Sequence, residues 1–563
     1  MTVRADWPRR AAAAFFALLL IVGALAGFSY GMIADENSEY RILKANAAEY
    51  ACRLLGEEHP VSRALLEDAP RISQSIERDH GIAAYYPFLP AGVLLGGISR
   101  RAMMLGWHFY TFLWFMTGCA ALYGIARELY GGTRRFGCMA ALTLYLTPRM
   151  FADGHYNNKD MVLLSLFLLV MWKGVCWIRR GRMRDAVWMS LFGALAANTK
   201  ILGAWCWGCM GLAFLADRIV RRKLDARAWR MGAAAIAVFA AGYALLTPAM
   251  WGDPIGFFKY LLTNAASFSR WDFGVLFGGR VYRPGNGDPL PWDYLPRLML
   301  MSIPIYITLL ALLGGARLVR SFGARADERL RGERVPALAV LLIGGIPLVY
   351  GMAGRMVLYH SWRHFSFFYA TVIVLAAGGM AEALRLWPGR RRMLAGALTV
   401  ALAVNGAAIV LTHPLEGSAF NPAAALFAGD DYETDYWLLA AQPAAERLAA
   451  QGEWTVTTNR ACLKLFENAL SGMPEGVRAR VHLTTRGDEA DAVLVWNAHY
   501  REESCTSEAE WQAVVERYYG ASTQEVYVPD WTDESAFEKW FEINAFGSNI
   551  VTVYRRIEAK SQY

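Results

Sequence analysis

The stretch FADGHYNNKDM, Phe151 to Met161, sets Asp153, His155, Lys159 and Asp160 close together between two apolar runs. Carboxylates and an imidazole at this spacing can take or give a proton, and they can also supply ligands to a hard cation such as Mg²⁺ or Mn²⁺. A second acidic pair, Asp35 and Glu36, follows the first apolar block. Cations stand at comparable points: Lys200 in AANTKILG, Arg270 and Arg280 in the Trp-, Phe- and Gly-rich segment 251–297, and Arg363 between His360 and His364 in GRMVLYHSWRHFSFF. Lys and Arg side chains meet anions such as phosphate, Arg through a planar fork. On a helix, His360 and His364 would have the spacing of a zinc pair. A charged loop is by default only solvated, but ionisable groups beside hydrocarbon are costly and tend to mark function.

The elements that must carry these groups are set by composition. Of 563 residues, 55% are apolar, the profile of an integral membrane protein. Apolar blocks fall at 11–32, 106–126, 136–150, 161–178, 186–199, 202–216, 231–247, 298–318, 336–353, 365–386 and 393–412. They predict about eleven membrane spans, each of 14 to 22 residues. Arginine-rich loops recur at every second connection, as at Arg134 and Arg135, at Arg179 to Arg184 and at Arg390 to Arg392, so they share one face, the cytoplasmic one, which puts the N-terminus inside. The +8 net charge is therefore an orientation signal beside lipid, and nucleic acid is not an expected partner. From His413 onward acids outnumber bases, so the chain divides into a membrane domain, 1–412, and an extracytoplasmic soluble domain, 413–563.

In the first outer loop, 34–103, the spacing of Ile42, Leu43, Ala47 and Leu54 predicts an amphipathic helix on the membrane surface. The Pro- and Gly-broken run 85–98 fits an interfacial or re-entrant segment. The tail reads as mixed α/β, with strands in WTVTT, DAVLVWNAHY and SNIVTVYRR and helices in AAERLAAQG and SEAEWQAVVERYYG. Cys462 and Cys505 share this exported region, where a disulfide between them is allowed. The whole is a polytopic α-helical membrane protein with a C-terminal extracytoplasmic α/β domain.

The motifs resemble the membrane-embedded glycosyltransferases of the C type, above all bacterial relatives of the protein O-mannosyltransferases (family 39) and of the aminoarabinose transferase that acts on lipid A. Asp35 and Glu36 match the family's acidic pair after the first span; Pro148, Arg149, Phe151, Asn158, Lys159 and Asp160 match a stretch that follows its third span. NTKILG (198–203), PWDYLP (291–296), RHFSF (363–367), HPLEGSAFNP and YETDYW (432–437) resemble further family motifs in the same order. The residues after the His-Pro pair, 415–419, depart from the family pattern.

The resemblance implies an inverting transfer of a sugar from a polyprenyl-phosphate donor to an acceptor hydroxyl of a protein, lipid or glycan, outside a bacterial cytoplasmic (inner) membrane. Asp35 would be the base, with Glu36 orienting it. Lys200, Arg270, Arg280, Arg363 and His364 would meet the donor phosphate. Asp153, His155, Asn158, Lys159 and Asp160 would hold the acceptor, the sugar or the first loop. No cofactor is required by the resemblance, although Asp35, Asp153, His155 and Asp160 together would offer ligands to a divalent metal. Two other readings stay open from the residues alone: a transporter or flippase of a lipid-linked or anionic substrate, and an assembly or sensor protein whose acidic tail binds partners.

Overall fold

The structure is a computed structural model that describes residues 6–266, 273–354, 356–519 and 526–557. Apolar sequence becomes helix here because hydrocarbon leaves a backbone no partner but itself. Among the described residues seven helices are long and apolar enough to cross a membrane: Arg9–Ser29, Arg100–Tyr130, Asp160–Arg180, Ala226–Leu246, Glu328–Ala353, Phe368–Leu386 and Pro388–Thr412. An eighth is reached if the bent pair Tyr294–Ser302 and Ile305–Ser321 counts as one span.

The difference from the expected eleven has local causes. The 136–150 block lies on two short helices, Arg134–Tyr145 and Pro148–Tyr156. Pro148 lacks the amide a continuous helix needs, and Thr147 before it is extended. The 298–318 block breaks at Pro304 into two helices inclined at 116°. Asn421 seals the break, its side-chain amide donating to the carbonyls of Leu300 (2.6 Å) and Ile303 (3.2 Å) and its backbone amide to Met301 (2.7 Å). The 186–199 and 202–216 blocks form helices Met183–Thr199 and Leu202–Val220; the former has only 17 residues and the latter carries Asp217 and Arg218 in its last turn.

Five helices position the site and are labelled α1 (Arg9–Ala26), α2 (Glu36–Leu55), α3 (Arg100–Tyr130), α4 (Pro148–Tyr156) and α5 (Asp160–Arg180). α5 is central, buried continuously from Met161 to Met171. Small residues let the helices approach closely. A Cβ on Gly314 would lie 1.9 Å from the Leu375 carbonyl, and one on Gly379 would lie 1.9 Å from that of Leu310.

One end of the bundle collects the arginine-rich connections. Asp6 bonds Arg134, Glu128 bonds Arg180, Arg227 donates to the Gly181 carbonyl, and Arg317 lies between Glu333 (2.8 Å) and Glu382 (3.0 Å). The opposite end carries the segment 34–99. There α2 forms as expected, with Ile42 and Leu43 buried but Leu54 exposed, and Ala83–Ile98 is a short apolar helical segment.

The tail holds a five-stranded mixed sheet. With β1 (Val275–Phe277) and β2 (Arg280–Tyr282) forming a small hairpin earlier in the chain, its strands are β3 (Trp454–Thr458), β4 (Val481–Leu483), β5 (Ala492–Trp496), β6 (Phe537–Ala545) and β7 (Ser548–Arg556), in the order β4-β3-β5-β7-β6. β3 runs parallel to β4 and β5, while β7 is antiparallel to β5 and β6. β5 is buried on both faces, which is why its sequence is apolar without alternation. The expected strand over 491–500 stops at Trp496, and Asn497–Glu503 is helical.

The tail is not separate from the bundle, since its core includes Tyr30 and Ile33 after α1 and Ala152 and Tyr156 of α4. Cys462 and Cys505 are both free, the first in this core and the second exposed. Without reductant, Cys505 is therefore expected to react with a maleimide in the folded protein and Cys462 only after denaturation. A disulfide-linked peptide in a non-reducing digest would contradict this.

Candidate active site

The site begins where α1 ends and α2 starts. Asp35 precedes α2 and its carbonyl accepts the Glu39 amide (3.0 Å), so its carboxylate is left to face outward. That carboxylate receives Arg363 Nη1 at 2.9 Å and lines a cleft of about 980 Å³ between α2 and the C-terminal domain. Asp35 is 42% exposed, whereas the Arg363 side chain is 9% exposed. Glu36 points the other way, buried, accepting His108 Nε2 of α3 and the Ile33 amide. Neighbouring acids thus do different work: Glu36 pins the start of α2 to α3, and Asp35 faces the cleft.

The start of α5 brings the next groups. Lys159 Nζ lies 2.6 Å from Glu39 Oε1, and Asn158 donates to the other Glu39 oxygen at 3.4 Å. Asp160 Oδ1 receives Lys200 Nζ at 2.5 Å, while the Asn157 side chain bonds both the amide and the carboxylate of Asp160 at 3.2 Å. Lys200 is set by Asn198, whose side chain accepts the Ala83 amide (2.9 Å) and donates to the Leu246 carbonyl and Thr247 Oγ1 (both 3.0 Å). Three loops are stapled together by this one amide.

Arg363 joins these pairs. Burial pulls its acidity toward the neutral form, but Asp35, Tyr359 and Asp160 outweigh that and hold the guanidinium charged. It also lies over two rings, Trp437 at 4.6 Å and Tyr359 at 5.2 Å. Burial, with Arg363 and Lys200 adding to it, pushes His364 well below the usual imidazole range, so that ring is neutral beside the cations. Asp35, Asp160, Lys200, Arg363 and His364 therefore form one constellation, flanked by Glu39 and Lys159.

Other expected site residues lie elsewhere. His155 is buried, with Nδ1 2.8 Å from the Phe151 carbonyl and Nε2 2.9 Å from that of Gly23, and it stacks on Phe112. Burial lowers it to about 4, against both carbonyls, and its role is to join α4 to α1. Asp153 is fully buried opposite Arg149 (3.9 Å), which donates to Tyr436 and Ser361. Arg280, on β2, is exposed and paired with Asp288. Arg270 lies outside the described residues. Asp35, Asp153, His155 and Asp160 do not converge on a point, and among the described residues no three His, Cys, Asp or Glu side chains could share a metal. His360 and His364 do not share a helix either: His360 is left-handed (φ 57°) and Arg363–Phe365 is a 3₁₀ turn.

Glu39, His108, Asn157 and Asn198 had no role assigned from sequence. Only Asn198, inside NTKILG, and Asn157, three residues before Asp160 at an N-cap spacing, carried a readable signal.

Residues 93–245 match the family described as dolichyl-phosphate-mannose-protein mannosyltransferase. No curated protein matches the chain significantly. Among solved structures, ArnT from Cupriavidus metallidurans in the apo state is similar at a TM-score of 0.45 and 13% identity, over 96% of this chain and 97% of that one. The same protein bound to undecaprenyl phosphate gives 0.45 and 12%, over 98% and 99%. An Archaeoglobus fulgidus oligosaccharyltransferase in complex with Zn and sulfate gives 0.45 and 13%, over 89% and 71%.

Burial pushes Asp153 up to about 6, above an unfolded value near 3.8. An acid whose folded value is the higher one contributes its full stability below the unfolded value and loses it as pH rises through the folded one. The melting temperature of the wild type is expected to fall relative to Asp153→Asn between about pH 4 and pH 7, by the equivalent of about 3 kcal/mol. Parallel curves would show that burial does not govern this carboxyl.

Proposed function

We propose, taking the chain as a membrane glycosyltransferase of the C type, that it moves a sugar from a polyprenyl-phosphate donor to an acceptor hydroxyl with inversion at the anomeric carbon. The reaction would take place at the extracytoplasmic face of a bacterial inner membrane, with the C-terminal domain on that same side. The observation that carries this reading is the Asp35 carboxylate facing the cleft, fixed by Arg363 from a distant turn.

In the transfer, Asp35 takes the hydroxyl proton as the acceptor oxygen attacks the anomeric carbon from the side opposite the phosphate. The bond from that carbon to the phosphate oxygen breaks, and its electron pair leaves with the phosphate. Arg363 and Lys200 meet the charge that develops there; their carboxylate partners Asp35 and Asp160 hold both cations in place beforehand. Neutral His364 adds a ring nitrogen with no hydrogen-bond partner among the described residues. Lys159 is engaged by Glu39 and shapes the first loop, so it orders the site without facing the donor.

The reading is tested with purified protein, a polyprenyl-phosphate sugar and candidate acceptors. Asp35→Asn is expected to lower the rate by at least about a hundredfold while the protein still folds, because Asn keeps the shape and an acceptor oxygen for Arg363 but cannot take the proton. Wild-type turnover by Asp35→Asn would remove it as the base. Movement of the lipid-linked sugar across the membrane without glycosyl transfer would favour a flippase.

A further inference from the structure

Three separate stretches of sequence meet at one turn, His360–Ser361. Both residues are left-handed, with φ of 57° and 60°, a conformation that side chains other than glycine adopt only under restraint. The restraint comes from the C-terminal region. Glu433 Oε1 accepts the His360 amide at 3.2 Å and Oε2 accepts the Ser361 amide at 2.9 Å. Tyr294, from PWDYLP, donates to the same Glu433 oxygen (3.3 Å) and to the Ser361 carbonyl (3.1 Å). Arg149, at the start of α4, donates to Ser361 Oγ at 3.1 Å.

Arg363 stands two residues past this turn. Reversing the backbone at positions 360 and 361 sends the chain back so that the Arg363 guanidinium reaches Asp35. The ring beneath that guanidinium, Trp437, lies four residues after Glu433 on the same strap. The strap is itself fixed: Asp435 accepts the amides of Leu439 (2.7 Å) and Ala440 (2.9 Å) and the indole of Trp496 on β5 (3.3 Å).

We propose that Glu433 is a positioning residue for the transfer: by holding the His360 and Ser361 amides in their left-handed turn it aims Arg363 at Asp35, and through Arg363 it sets the donor phosphate. The proposal rests on the transferase reading above. It makes the C-terminal domain part of the active-site framework, because that domain supplies both the carboxylate behind the turn and the indole under the guanidinium.

A residue that acts only through Arg363 should cost nothing more once Arg363 is compromised, so the test is a double-mutant cycle. Transfer is measured for wild type, Glu433→Gln, Arg363→Lys and the double variant, each with its melting temperature. Glu433→Gln keeps the size and one acceptor oxygen but loses the second. It is expected to lower kcat/KM roughly tenfold, as loss of an acceptor for a buried backbone amide would. The double variant is expected to match Arg363→Lys within about twofold. If Glu433→Gln does not fold, Glu433→Asp, which withdraws the carboxylate by one methylene, carries the same cycle. Losses that multiply, or a Glu433 variant with wild-type kcat/KM, would overturn the positioning role while leaving the transferase reading intact. A wild type inert toward every polyprenyl-phosphate sugar would remove the transferase reading itself, and the positioning role with it.

Discussion

Charge is costly in hydrocarbon, and that cost sorts the ionisable residues of this chain to the two ends of its helical bundle. Between them, α5 is buried and uncharged from Met161 to Met171. At one end the arginines that follow the apolar blocks pair with the few acids among them, as Arg317 does with Glu333 and Glu382. At the other, acids from the first loop and α5 pair with Lys159, Lys200 and Arg363. Buried pairs of this kind are weak evidence for stability, since taking two charges out of water offsets much of their attraction.

The strap Tyr432–Trp437 shows how the C-terminal domain belongs to that end. Glu433 meets the 360–361 turn, Tyr436 receives Arg149 and stacks on His360, and Trp437 lies under Arg363. Each contact reaches from the C-terminal α/β region into the connections between the long apolar helices. Tyr30, Ile33, Ala152 and Tyr156 complete the arrangement from below, so the boundary at 412 divides composition but not packing.

Much of this was legible in the sequence wherever one local signal was enough. Seven of the apolar blocks, the acidic pair after α1 and the helix that begins at Glu36 appear where periodicity and position put them. The DGH run is divided because α4 is a complete short helix: residues two apart point to different sides, so Asp153 meets Arg149 while His155 meets α1. His360 and His364 do not share a helix, because His360 is left-handed with its amide bonded to Glu433, seventy-odd residues later in the chain. Pro304 signalled a break, but the 116° bend depends on Asn421, far along the chain, to bond the freed carbonyls. Cys462 and Cys505 share a compartment by composition, and only the fold places one inside a core and the other on the surface.

Membrane-impermeant thiol labelling of intact cells, in a Cys505→Ser background, tests the two-ended arrangement most directly. Ser38→Cys, exposed beside Asp35, is expected to label from outside, and Arg184→Cys, exposed at the arginine-rich end, only after permeabilisation. Labelling of both positions from the same side, or of Ser38→Cys only after permeabilisation, would contradict an active site formed at the extracytoplasmic end.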